Sequence, residues 1–219
     1  MKRREYRQYC GAARALDLVG ERWTLLLIRE LLTGPKRNKD LLDNLPGIGT
    51  NLLAARLRKL EEDQLVERVT LPPPAGSTVY RLTELGTGLE PALMALSRWG
   101  QHLLGGPDED DEVRPSWVLL GMKAVFRPER AASLEETYEF RIAGDVFWIG
   151  VGHGTADAGQ GHAVAPDLIV EADLDTFLEV HGRKQTPREA LANGTARLIQ
   201  GGVEALERCL YVFGISDSL

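Results

Sequence analysis

RWTLLLIRELLTGPKRNKDLLDNLPGIGTNLLAARLRKLEED, residues 22–63, holds three apolar stripes at helical spacing, separated by two breaks. RWTLLLIRELL carries Trp23, Leu26, Leu27 and Leu31 on one side, with Leu25 and Ile28 widening the face, and it stops at Gly34-Pro35. So broad an apolar face predicts the central, most buried helix of a small bundle. NKDLLDNL predicts a short helix halted by Pro46-Gly47. TNLLAARLRKLEED predicts the next, with Leu53, Leu57 and Leu60 turned inward. That leaves Thr50, Asn51, Ala54, Ala55 and Arg58 outward, flanked by Arg56 and Lys59.

Upstream, ALDLV (15–19) closes an earlier helix. Downstream, LVERVTL and TVYRLT read as two strands joined by PPPAGS, and Thr83 opens a long helix striped by Leu85, Leu89, Leu93, Leu96, Trp99 and Leu103. Three helices, a turn, a fourth helix, a hairpin and a long helix describe a winged helix-turn-helix, mostly α with a β-hairpin wing. The helix at Asn51 is then the recognition helix, and Pro72 to Ser77 the wing tip. Residues near a recognition helix N-terminus reach base edges, so Thr50 and Asn51 are candidates for direct readout, and Asn can pair bidentately with adenine. Ala54 permits close approach. Arg56, Arg58 and Lys59, Arg37 and Lys39 from the preceding helix, and Arg68 and Arg81 from the wing are candidate phosphate contacts. The alternative is a set of ordinary solvated charges.

Charge divides along the chain. Residues 1–104 carry 16 Lys and Arg against 12 Asp and Glu, and residues 105–219 carry 10 against 20, within a net charge of −6. Only the first part suits a polyanion. GGPDEDDEVRP, Gly105 to Pro115, repels itself and buries nothing, so it reads as an exposed linker. The expected domains are 1–104 for DNA binding and dimerisation, an acidic linker at 105–114, and a second domain at 115–219. With no apolar run near the roughly 20 residues that span a bilayer and no secretory leader pattern, a cytoplasmic location without membrane contact is expected. Two cysteines suggest neither a disulfide framework nor a zinc site.

YCGAARALDLVGERWTLLLIRELLTGPKRNKDLL, GIGTNLLAARLRKLEEDQLVER and VYRLTELGTGLEPALMALSRWG together resemble the HxlR-type winged-helix regulators, relatives of the MarR group, across residues 6–104. The resemblance implies a homodimer built by the first and last helices of this domain, a two-fold symmetric operator and no enzymatic activity. Three positions depart from the family pattern: Asn38 stands where an aromatic is usual, Gly49 replaces an N-cap Ser, and Gln64 replaces a C-terminal Gly. A left-handed cap at Gln64 would be slightly strained. Cys10 matches a family cysteine that senses redox state in some members. Lys2, Arg3, Arg4, Arg7 and Arg14 could depress its pKa, and an inert Cys is the alternative.

The second half mixes helices and strands. SWVLLGMKAVF reads as a helix, and TYEFRI alternates Tyr138, Phe140 and Ile142 against Glu139 and Arg141. VFWIGV continues that inner face after a turn at Ala143-Gly144, with Trp148 left outside, where it could dock a winged helix or a dimer partner. DLIVEA and TARLIQG are strands. DLDTFLEVHG, TPREALANG (Thr186 as N-cap) and VEALERCLYVF are helices. The expectation is an α+β layer of antiparallel strands backed by helices. YEFRIAGDVFWIGV and the segment from PDLIVEA to CLYVF resemble sterol carrier protein-like domains, over about 115–214. That likeness implies an apolar tunnel for acyl or sterol-like molecules, lined from Trp117, Leu120, Phe126, Phe140, Phe147, Ile149, Phe177 and Phe213. A dry core explains the same residues.

The glycine-rich run GVGHGTADAGQGH, residues 150–162, lacks the Lys-Ser or Lys-Thr of a phosphate loop and reads as a mobile hairpin loop. His153, His162 and His181 lack metal-ligand spacing, and no nucleophile elbow is visible. No enzyme, cofactor or metal is expected. The sequence thus reads as a two-domain α+β regulator, expected to repress and to sense an apolar effector. Its rival is a lipid- or protein-binding adaptor that keeps the winged helix only as a dimerisation scaffold.

Overall fold

A computed structural model describes residues 5–72, 76–104, 111–182 and 184–216. The chain forms two compact units, Met1–Leu93 and Met94–Leu219. Most of the acidic run, residues 105–110, together with the wing tip at 73–75 and Lys2, Arg3 and Arg4, lies outside the described residues.

The first unit contains α1 (Gly11–Val19), α2 (Thr24–Leu32), α3 (Asn38–Asn44), α4 (Thr50–Glu62), β1 (Val66–Thr70), β2 (Thr78–Leu82) and α5 (Glu84–Thr87). It also holds the start of α6 (Glu90–Gln101), inside which the division falls. Leu27, Ile28, Leu31, Leu41, Leu53, Leu57 and Leu60 are buried, as the stripes require. Each contributes on the order of 2 kcal/mol of transfer free energy. β1 and β2 pair antiparallel, and a bridge between Lys36 and Tyr80 adds the α2–α3 link to the wing.

Three details differ from the sequence reading. The second helix begins at Thr24, and Trp23 is its left-handed N-cap (φ 78°), with its indole over Gly47 in the turn before α4. The long helix expected from Thr83 breaks at Gly88 into α5 and α6. Its stripe is mostly exposed: Leu93 is buried, while Leu85, Leu96, Trp99 and Leu103 are not. Thr83 still caps, its hydroxyl accepting from the Gly86 N–H at 3.1 Å. Gly86 is required there, because a Cβ would lie 2.0 Å from the Leu65 carbonyl oxygen.

Gln64 adopts φ 58°, the left-handed cap expected of it. The Leu65 N–H reaches Leu60 O at 2.9 Å and the Gln64 N–H reaches Glu61 O at 3.0 Å, a Schellman ending made without glycine.

The second unit holds the rest of α6, then α7 (Pro115–Val125), a 3-10 turn (Pro128–Arg130), β3 (Glu135–Ile142), β4 (Asp145–Gly152), β5 (Thr155–Gln160) and β6 (Leu168–Ala172). α8 (Leu174–His181), α9 (Pro187–Asn193), β7 (Ala196–Gln200) and α10 (Val203–Val212) complete it. Arg98 Nε and Gln101 Nε2 of α6 donate to the carbonyls of Ala124 and Gly121 on α7, at 2.6 and 3.2 Å. These bonds hold the C-terminal part of α6 to α7 within the second unit.

The five strands run in the order β5-β4-β3-β6-β7. All pairs are antiparallel except β3–β6, which is parallel, so the sheet is mixed and not antiparallel throughout. The inner face carries Tyr138, Phe140, Ile142, Phe147, Ile149 and Val151, which pack with Leu119 and Met122 of α7 and Leu206, Cys209 and Val212 of α10. The outer face is less simply polar than alternation suggests. Glu139 is buried there, accepting from the Ala163 N–H at 2.8 Å and Arg141 Nε at 2.8 Å, with His162 Nδ1 at 3.2 Å. Burial disfavours its charge, but these bonds outweigh that and hold the carboxyl below the usual range.

The glycine-rich run is not a loop. A two-residue turn at His153-Gly154, both left-handed, sends the chain back as β5, with Ala156 and Ala158 opposite Val151 and Ile149. Alanines and glycines carry too little apolar or β-branched signal to announce a strand. Trp148 is half-buried with its ring against Gly159 of β5, where a Cβ would lie 2.9 Å from it.

Candidate functional site

Helix α4 starts from Gly49, an extended residue with no side chain to cap the first amides. Its inward leucines fix the rotation of the helix, so the opposite face is determined. Thr50, Asn51, Ala54, Ala55 and Arg58 are all exposed on that face. Arg37 and Lys39 at the start of α3 and Arg68 on β1 lie outward of the core as well. Arg37, Lys39, Arg58 and Arg68 form no ion pair among the described residues, which leaves four cations available on this frame.

Three other predicted cations are engaged. Arg56 Nη2 lies 2.7 Å from Glu21 Oε2, across to the α1–α2 link. Lys59 Nζ lies 2.9 Å from Asp63 Oδ1 and 3.6 Å from Glu62 Oε2, one helical turn on. Arg81 Nε lies 2.7 Å from Glu67 Oε1, directly opposite in the wing register. Glu62 and Asp63 lie three and four residues on from Lys59, Glu67 faces Arg81 across the hairpin, and Glu21 is brought to Arg56 only by the fold.

The helix-turn-helix is pinned by a group the sequence did not single out. Glu30 is 1% exposed on α2. Its Oε1 accepts from Arg29 Nε and Nη2 at 3.0 and 2.8 Å, and its Oε2 from Asn44 Nδ2 at 3.1 Å, tying α2 to the end of α3. Lys36 is buried as well. Burial pulls its ammonium below the usual lysine range, partly offset by Glu30 and Asp40.

Cys10 is exposed at the N-cap of α1. The backbone amides of Ala13 and Ala12 stabilise its thiolate and hold the thiol below its usual range. Of the basic side chains expected to contribute, Arg14 pairs with Asp17 at 3.8 Å, and Lys2, Arg3 and Arg4 lie outside the described residues. Cys209 is the opposite case, fully buried, its thiol pushed up by desolvation and by Glu136.

In the second unit a cavity of about 60 Å³ lies between the inner face of β6 and β7 and helices α8, α9 and α10. Phe140 and Phe177 line it, edge to face at 6.1 Å, with Val170, Ala172, Leu198 and His181. Trp117, Leu120, Phe126, Phe147, Ile149 and Phe213 do not line it. Phe147 stacks on Phe140 at 5.5 Å, and Phe213 packs against Phe126 and Tyr138 at 5.9 and 6.3 Å, a filled core beneath α7 and α10. Leu120 and Ile149 are buried, and Trp117 is half-buried under the Arg114 guanidinium at 5.7 Å. Alternation identified the inner face but not which end of it the helices leave unfilled. Among the described residues no His, Cys, Asp and Glu cluster could hold a metal ion.

Residues 18–106 match the model of the HxlR-like helix-turn-helix family. The HTH-type transcriptional regulator YodB of Bacillus subtilis is 40% identical over 88 residues, covering 40% of this chain and 79% of YodB. An uncharacterized HTH-type transcriptional regulator of Mycobacterium bovis is 45% identical over 98 residues, covering 45% of this chain and 61% of that protein. Among solved structures, reduced YodB from B. subtilis is 35% identical, covering 46% of this chain and 100% of its own, with a TM-score of 0.40. The redox regulator HypR in its reduced form is 30% identical, covering 42% and 92%, with a TM-score of 0.40. With 40% identity across 79% of YodB, and with the family model matching the helices and wing described above, the chain belongs to the HxlR-like helix-turn-helix family.

Proposed function

We propose that this protein is a DNA-binding transcription regulator, not an enzyme, and that it reads a two-fold symmetric operator as a homodimer. The observation that carries this reading is the exposed face of α4. Thr50 and Asn51 stand at the helix N-terminus where base edges are read, Ala54 leaves room for the groove, and Arg58 is available for phosphate. Arg37, Lys39 and Arg68 extend the phosphate footprint. Arg56, Lys59 and Arg81 contribute less, because acidic partners already neutralise them. The relatives named as transcriptional regulators support the same reading.

Dimerisation is supported by apolar side chains left uncovered on the first and last helices of the winged-helix region, Leu16 on α1 and Leu96 and Trp99 on α6. A dimer seated across a promoter occludes it, so repression in the cytoplasm is the expected sense. Among the described residues no helix is long and apolar enough to cross a membrane. Cys10, exposed and with its thiol held low, is the proposed redox-responsive group.

The second domain, 115–219, reads as a sterol carrier protein-like layer whose cavity admits an apolar effector. The apolar lining supports this. The test is a selection from random duplex DNA, followed by anisotropy titration of the winning sequence. Binding is expected to fall steeply with salt, and Asn51→Ala should relax preference by roughly 1–3 kcal/mol at one base pair per half-site. Failure to enrich any sequence would favour the adaptor reading, with the winged helix a dimerisation scaffold.

A further inference from the structure

We infer that α4 selects its operator by the C5 methyl groups of thymine, and that Leu52 is a specificity-determining residue for this readout. The inference rests on the reading that α4 enters DNA, and it adds which base chemistry the helix prefers.

α4 carries four leucines. Leu53, Leu57 and Leu60 are at most 1% exposed and seat the helix on the core, whereas Leu52 is 37% exposed in the first turn, next to Asn51. Residues three and four apart on a helix are neighbours. Thr50 therefore adjoins Ala54, Leu52 adjoins Ala55, and Asn51 lies one turn before both alanines. All five are exposed. Asn51 is thus flanked on each side by methyl groups, and neither Leu52 nor the alanines carry a side-chain donor or acceptor. Arg58 on the same helix, with Arg37, Lys39 and Arg68 on the neighbouring elements, makes the surroundings cationic. An apolar strip in such surroundings suits a polyanion with apolar groups in its groove better than an apolar protein face.

The major groove offers one such group, the thymine C5 methyl. A guanine or cytosine edge set against Leu52, Ala54 or Ala55 would lose its water and gain no hydrogen bond, the costly case for a polar group. A thymine methyl in the same place sheds water and gains an apolar contact, which is favourable. Asn51 points to the same base pairs. When it pairs bidentately with adenine, the thymine of that pair presents its methyl in the same groove. The two alanines offer only short methyls, so Leu52 is the apolar side chain of this face with the greatest reach.

The experiment titrates the full chain with the duplex enriched from random DNA, and with copies in which half-site thymines are replaced one position at a time by deoxyuridine. That exchange removes the methyl and keeps every donor and acceptor. At a contacted position it should weaken binding about 4-fold in one half-site and about 16-fold in both, the worth of one buried methyl per site. Leu52→Ala should remove most of the penalty at one thymine and leave the penalties at the others. Leu52→Met, which keeps the apolar reach, should retain it. A penalty due to altered duplex stiffness would persist in Leu52→Ala, so persistence at every position overturns the assignment of Leu52. The uracil scan of the unsubstituted chain, together with Leu52→Met, carries the test if Leu52→Ala does not fold. Equal affinity for thymine and uracil at every position, or an enriched sequence without thymine, overturns the inference and leaves the DNA-binding reading intact. Failure to enrich any duplex overturns that reading itself, and this inference with it.

Discussion

Arg58 and Lys59 are neighbours on α4, and their different pairing predicts different contributions to DNA binding. Arg58 is exposed and forms no ion pair among the described residues, whereas Lys59 is held by Asp63 at 2.9 Å and Glu62 at 3.6 Å. Asp63 is itself largely buried, with 7% of its side chain exposed, so this pair is better protected from solvent than an ordinary surface bridge. If each Arg58 of a dimer neutralises one phosphate, Arg58→Ala removes two contacts. The slope of log affinity against log salt then shallows by about 1.8. Between roughly 50 and 200 mM salt that is a difference of about 12-fold in how much affinity is lost. Lys59→Ala removes a charge already neutralised and should leave the slope within about half a unit of the parent. Anisotropy titrations of one selected duplex at several salt concentrations measure both slopes. An unchanged slope for Arg58→Ala, or a larger change for Lys59→Ala, would refute the assignment of the free cation to phosphate.

Gly86→Ala should destabilise the first unit by about 3 kcal/mol, because the new methyl meets a backbone carbonyl that cannot rotate aside. For a domain of this size that lowers the Tm by roughly 12–24 °C, read by circular dichroism; a fall of only a few degrees would contradict the close approach. Gln64→Gly should act in the opposite direction, stabilising by about 1 kcal/mol through relief of the left-handed cap, as urea melts would show. Cys10 should alkylate at neutral pH while Cys209 stays unmodified in the folded protein. A lowered thiol pKa enlarges the thiolate fraction below the ordinary value of about 8.5, so the Cys10 rate should reach half its plateau below that pH. Mass spectrometry finding Cys209 labelled first would reverse the assignment.

The DNA-binding half was legible because its signals are local. The stripe of Leu53, Leu57 and Leu60 determines the rotation of α4, and everything proposed for Thr50, Asn51 and Arg58 follows from that rotation. Local signals do not report which charges meet, so Arg56 with Glu21 and Glu30 with Asn44 needed the fold. In the second half, alternation placed Tyr138, Phe140 and Ile142 inside, but β5 was hidden in a run of small residues whose role depends on Trp148 beside Gly159. The parallel pairing of β6 with β3 leaves no mark on either strand. The cavity was half legible: Phe140 and Phe177 line it, but the aromatic signal also drew in Phe147 and Phe213, which fill the core instead.

The mixed sheet has a consequence for the order in which the second unit assembles. β3, β4 and β5 are contiguous and joined by two-residue turns, so they zip as a meander from neighbours in the chain. β6 pairs with β3 only after the chain has travelled out through that meander and back, and β7 pairs with β6 later still. The loop closure this needs disfavours early docking of those last two strands. Val170, Ala172, Phe177, His181 and Leu198 all belong to this late-arriving stretch. One side of the chamber thus comes from the strands that pair across the longest loops. A guest that binds only when this side is docked would therefore stabilise the docking itself, in proportion to its occupancy.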